Sequence, residues 1–304
     1  MNRVFSLVTI FVATQCIVAQ AAEVSLTPSK DNTIFEEDSN LSNGSGRYLF
    51  AGTTAGKQGT TLRRALMAFD VAGNVPVGAT ITEATLTLNM NKTVSGGHDT
   101  SLHRVVQDWG EGGSNASGQE GRGTPAQTGD ATWEDTFLGT SAWTNSGGDF
   151  ADTASDTISV ARNGTYTWGT GGALNSDVQL WLDDPTLNFG WILIGNEPVS
   201  RSAKRFDSRE ASSESNRPTL TISFDETLAG DCNGDGVVDI GEQVPDSRSH
   251  TAGHFRQREH GSSRPPSKTC TAVPAASSGR LAARTVESVN AQEAEASMGT
   301  TMKA

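Results

Sequence analysis

The stretch Ile81 to Met90 sets Ala84, Leu86, Leu88 and Met90 on one side of the chain and Thr85, Thr87 and Asn89 on the other. A repeat of two belongs to a β-strand with one dry and one wet face, and no helix can gather those apolar residues onto one side. The alternation returns at Arg64 to Asp70, Ser101 to Val106, Thr157 to Val160, Tyr166 to Trp168, Trp191 to Ile194 and Thr219 to Phe224. Clusters of Gly, Asn, Asp and Ser separate these runs, as turns between antiparallel strands require. So many short strands without intervening helices predict an all-β fold, an antiparallel, jelly-roll-like β-sandwich. One exception is a short lid helix in which Val178, Trp181 and Leu182 share a face, with Ser176 and Asp177 as capping residues and Pro185 as its stop. Gly110 to Gly129 is too long for a hairpin turn and reads as a long surface loop of the kind that carries function.

The N-terminus bounds the compartment. Arg3, the apolar run Val4 to Val18 and Ala19-Gln20-Ala21 have the order of a secretory signal peptide, assigned to residues 1–22. The chain is therefore expected outside the cell or at its surface. No other apolar run is long enough to span a bilayer. Residues 1–242 carry 15 Lys and Arg against 30 Asp and Glu. That balance argues against nucleic acid, whose binding depends on basic groups displacing counterions. After the signal, only Cys232 and Cys270 remain, too few for a disulfide framework.

Residues 23–228 form the expected sandwich, and 229–244 hold a second feature. Asp231, Asn233 and Asp235 stand at positions 1, 3 and 5 of an EF-hand loop, the Val237 carbonyl at 7, Asp239 at 9 and Glu242 at 12, with Gly236 at the sharp turn. Calcium takes six to eight oxygen ligands, and this spacing supplies them, so Ca2+ is the expected cofactor. The loop resembles the first half of a type I dockerin repeat, a family that pairs two such loops to hold a cohesin partner. No second loop is present and Pro245 blocks a long exiting helix, both of which argue against cohesin docking. Residues 245–304 lack periodicity and have the composition of a disordered segment. Two origins fit them: a natural tail, or a reading frame shifted soon after Glu242.

Several strings carry a wider resemblance. Leu102-His103-Arg104-Val105-Val106-Gln107-Asp108-Trp109-Gly110-Glu111 is followed by Gly129-Asp130-Ala131-Thr132-Trp133 and Gly147-Gly148-Asp149-Phe150. Then come Asp177 to Pro185, Asn188-Phe189-Gly190-Trp191, Lys204 to Glu210 and Arg217-Pro218-Thr219-Leu220. In this order they resemble the DNRLRE-domain, or disaggregatase-related, family over about residues 26–225. The resemblance implies a secreted jelly-roll module related to carbohydrate-binding modules, including alginate binders. It supplies no catalytic residues.

The expected function is calcium-stabilised, noncatalytic binding of extracellular or cell-surface polysaccharide. Aromatic rings stack on pyranose faces, and Trp109, Trp133 and Trp143, bordering Gly- and Asp-rich loops, are the candidate platform. Tyr48 and Tyr166 are further stacking candidates, while Trp181 and Trp191 sit in apolar runs expected in the core. The first alternative is a polysaccharide hydrolase or lyase of a dockerin-bearing assembly. Adjacent carboxylates occur at Glu36 and Glu37, Asp108 and Glu111, Glu134 and Asp135, and Asp183 and Asp184, and a lyase could use Tyr48 with Arg63, Arg64 or Arg205. The second alternative is a structural surface protein.

Overall fold

The computed structural model describes residues 21–38, 40–55 and 61–226. Residues 1–20 of the expected signal peptide, the expected calcium loop Asp231 to Glu242 and residues 245–304 lie outside the described residues. The first half of the chain gives β1 (Ala21–Leu26), β2 (Lys30–Phe35), β3 (Leu41–Ser42), β4 (Tyr48–Thr53), β5 (Leu62–Ala68), β6 (Thr80–Thr93) and β7 (His98–Arg104). Then follow β8 (Thr124–Pro125), β9 (Asp135–Phe137), β10 (Ser141–Ala142), β11 (Asp156–Val160), β12 (Gly164–Trp168), α1 (Asn175–Asp183), β13 (Trp191–Ile194), β14 (Lys204–Asp207) and β15 (Thr219–Asp225).

Eleven strands pair into one curled antiparallel sheet in the order β1-β15-β6-β14-β4-β5-β13-β7-β11, with β12 beside β6 and β2 beside β5. The path passes from one layer to the other where Gly52 faces Arg63 and Thr53 faces Leu62. The all-β sandwich expected from the alternation is the fold observed. Leu86, Leu88 and Met90 of β6 meet Ala65 and Met67 of β5 and Leu193 of β13 in the main core. The helix seats Val178, Trp181 and Leu182 in that core, as its spacing predicts. It is anchored to β6 by side chains: the Ala84 N–H donates to Asn175 Oδ1 and the Ile81 N–H to Gln179 Oε1, each at 2.9 Å.

Its cap is not the one expected. The helix begins after Leu174 without a side-chain cap. The Asp177 carboxylate instead accepts the Trp191 indole N–H at 2.8 Å and pairs with Arg104 at 3.3 Å. The buried Trp191 indole needs an acceptor, and Asp177 supplies it. Pro185 stops the helix and opens a 3-10 turn, Pro185–Leu187.

A second apolar cluster lies on the other side of the second layer. Ala65 and Met67 face the main core while Leu66 and Ala68 face the second, and on β13 Trp191 and Leu193 are split from Ile192 in the same way. The chain from 105 to 151 covers this outer face, and Trp109, Trp133 and Trp143 are its contribution. The cover is held by polar hubs. Buried Asn32 donates to the carbonyls of Gly110, Glu111 and Ala131 and accepts from Ser42 and Asn43. Asp149 accepts from the Thr144 and Asn145 N–H groups and from the Asn145 amide at 2.6 to 3.0 Å.

Burial disfavours an ionised Asp149, yet these hydrogen bonds outweigh it and hold its pKa below the usual value. A depressed carboxylate pKa stabilises above the unfolded-state pKa, and that stability disappears as pH falls through the folded one. Asp149→Asn should therefore cost about 1 to 3 kcal/mol in urea unfolding at pH 7. The gap from the unaltered chain should close in acid, below the folded pKa of Asp149.

Candidate functional site

The structure overturns the tryptophan platform. Trp109 is 0 % exposed, Trp133 7 % and Trp143 6 %. The Trp109 indole donates to the Phe189 carbonyl at 2.9 Å, and the Trp143 indole to the Thr132 carbonyl at 3.0 Å. Arg64 lies over Trp133 at 4.9 Å and is paired with Glu197 at 2.7 Å. These rings serve as core because β5 and β13 are apolar on both faces, so the Gly-rich loops must fold back over the outer one. Trp181 and Trp191 are core as expected, with ring centroids 4.4 Å apart. Tyr166 uses its hydroxyl to bind the N–H groups of Ala161 and Arg162, closing the β11–β12 turn.

The adjacent carboxylates are also spent locally. Glu37 pairs with buried Arg63 at 2.8 Å, Asp108 with Lys30 at 2.7 Å, and Glu111 with Arg209 at 2.8 Å. Glu134 accepts from Ser146, Asp183 from Gln179, and Asp184 from Thr186 at the 3-10 turn.

Tyr48 and Arg205 do come together. Tyr48 opens β4 opposite Asp207 of β14, and Leu49 points into the main core, so Tyr48 takes the outer face. The Arg205 guanidinium lies 3.8 Å from the Tyr48 ring centroid and that of Arg47 lies 5.7 Å away. Arg205 Nε donates to Asn91 Oδ1 at 2.6 Å and Nη1 to Gln119 Oε1 at 2.9 Å, while Lys92 Nζ reaches the same Gln119 oxygen at 2.7 Å. Asp207 takes the Asn89 and Asn91 amides, one on each oxygen, at 2.6 and 2.7 Å. The outer face of β6, β14 and β4 thus presents three cations, a phenol ring and two amides in an otherwise acidic chain.

The long loop organises this face. Glu120, 5 % exposed and at φ 61°, accepts the Tyr48 N–H at 3.0 Å and the Asn43 amide at 3.1 Å, and lies 3.8 Å from Arg47. A left-handed backbone is costly for glutamate, and those buried acceptor contacts hold it there. Gly121 passes over Phe50, and the Gly121 carbonyl accepts from Arg63 at 2.9 Å. Ser117, Gln119, Glu120, Gly121, Arg122, Gly123 and Thr124 line a cleft of about 460 Å³ beside the face.

A second constellation is formed by Asp31 of β2, Glu111 at the start of the long loop and Glu210 after β14, with oxygens all within 4.8 Å of one another. The Asp31 N–H donates to Glu111 at 2.9 Å, and the Arg209 N–H donates to Asp31 Oδ2 at 2.8 Å. Arg209 Nη1 reaches both Glu111 oxygens at 2.8 Å. Burial, then the charges of Glu210 and Glu111, push the Asp31 carboxyl well above its usual range, against the opposing influence of Arg209. Burial and Glu111 also raise Glu210.

Sequence reasoning singled out Glu111 but not its union with Asp31 and Glu210, since the three are far apart along the chain. No helix among the described residues is long and apolar enough to cross a membrane. No protein-family model matches the chain, and no curated protein matches it.

Proposed function

We propose that this protein is a secreted, noncatalytic module that binds acidic extracellular polysaccharide on the outer face of β6, β14 and β4. The observation that carries the reading is Arg205, laid on the Tyr48 ring at 3.8 Å and held by Asn91 and Gln119. A guanidinium so held loses little freedom on binding and matches a carboxylate's two oxygens. Lys92 and Arg47 extend the same chemistry along the face, while Asn89 and Asn91 are engaged by Asp207. The resemblance to the DNRLRE-domain family is part of this proposal, as are the Ca2+ bound by Asp231 to Glu242 and the extracellular setting. A cohesin-type partner is not.

Affinity electrophoresis of the full chain tests it. Migration should be retarded in gels holding a polyuronate and unchanged in gels holding a neutral glucan, with retardation weakening as salt is raised. Equal retardation by both polymers, or by neither, would sink the reading. One observation favours a second reading: a phenol beside an arginine is the base and charge neutraliser of a polyuronate lyase. Growth of unsaturated-sugar absorbance during incubation with the polymer would establish the enzyme over the binder. Neither retention nor product would leave the structural surface protein.

A further inference from the structure

We propose that Asp31, Glu111 and Glu210 form a calcium site in the sandwich, separate from the loop at Asp231 to Glu242. Asp31 is 0 % exposed, and its Oδ1 has no hydrogen-bond partner among the described residues. That leaves a buried carboxylate oxygen unpaired beside two further carboxylates, Glu111 and Glu210. A cation resolves this, because calcium binds oxygens at about 2.3 to 2.6 Å, so two oxygens on one ion lie up to about 5 Å apart. The three carboxylates meet that limit, with oxygens within 4.8 Å of one another.

Charge agrees with geometry. Three carboxylates beside the single Arg209 guanidinium leave a deficit that one divalent ion cancels. The donors are all hard oxygens, without histidine or thiolate, which favours calcium over zinc or copper. Glu111 Oε1 accepts from both the Asp31 N–H and Arg209, while Oε2 takes Arg209 and retains a further lone pair for a metal. Glu111 and Glu210 are 22 % and 27 % exposed and form the rim, giving water room to complete the shell, while Asp31 forms the floor. The ion would tie β2, the start of the long loop and the turn after β14, adding to the contacts already made there by Lys30, Asn32 and Arg209.

The test uses the full chain carrying Asp231→Ala and Glu242→Gln, so that the C-terminal loop is silent, stripped with chelator and returned to calcium chloride. Calorimetry should show a Tm rise of about 5 to 10 °C at calcium one hundredfold over Kd. Adding Asp31→Asn should abolish that rise, while the chelated Tm stays level or increases because a buried repulsion is gone. Should Asp31→Asn not fold, Glu210→Gln at the rim supplies the comparison, with calcium affinity at least about tenfold weaker by titration calorimetry. Terbium gives a direct readout, since Trp109 stands two residues before Glu111 and the C-terminal loop has no aromatic residue. Tryptophan-sensitised emission should appear in the parent and vanish in the altered chain. An undiminished Tm rise in Asp31→Asn or, if that chain does not fold, undiminished affinity in Glu210→Gln, or no calcium response in the parent, overturns the proposal.

Discussion

Truncating Trp109 to alanine is expected to destabilise the protein by about 3 to 5 kcal/mol, the range for removing a buried tryptophan. Its ring is enclosed by the second apolar cluster, its N–H bonds the Phe189 carbonyl, and Lys30 Nζ lies 4.4 Å from the ring centroid. Truncation leaves a cavity, an unpaired part-buried carbonyl and an ammonium without its ring. Urea unfolding would show the loss directly. A Trp109→Ala chain with stability within about 0.5 kcal/mol of the parent would mean the ring is at the surface after all.

Arg205→Ala has the opposite profile. Polyuronate affinity should fall roughly 10- to 100-fold, the equivalent of one charge-assisted hydrogen-bond pair, while stability changes little. Arg205 is only partly buried, and its partners Asn91 and Gln119 can turn to water. Tyr48→Ala should weaken binding less, because Tyr48 positions the guanidinium rather than contacting the polymer's carboxylates. Affinity loss equal to stability loss in Arg205→Ala would assign that residue to the fold instead.

The strands were legible wherever one face was apolar and the other polar, as at Thr219–Asp225, or where the run was apolar throughout, as at Trp191–Ile194. That second pattern constrains more than its own strand. Four consecutive apolar residues mean both faces are covered, and something must cover the outer one. The loop tryptophans do so, and the glycines and aspartates around them misled because they serve the turns of a folded cover. β2 was hidden for the converse reason. Asp31, Asn32 and Thr33 look like loop residues, yet all three are fully buried. Their partners lie in Glu111, Ala131, Phe50 and Arg209, far away in the chain, so no local pattern could announce them. Tyr48 and Arg205 were each visible as residue types, but their contact depends on β4 and β14 pairing, which only the folded sheet supplies.

In the proposed binding, carboxylates on the polymer are recognised by a fixed cationic face. This recognition is tested most directly by titrating the full chain with a polyuronate and with the same polymer after its carboxyl groups are reduced to primary alcohols. Binding to the first is expected, abolished or weakened at least about tenfold in the second. Equal affinity for both would contradict it, because backbone shape rather than charge would then be what the protein reads.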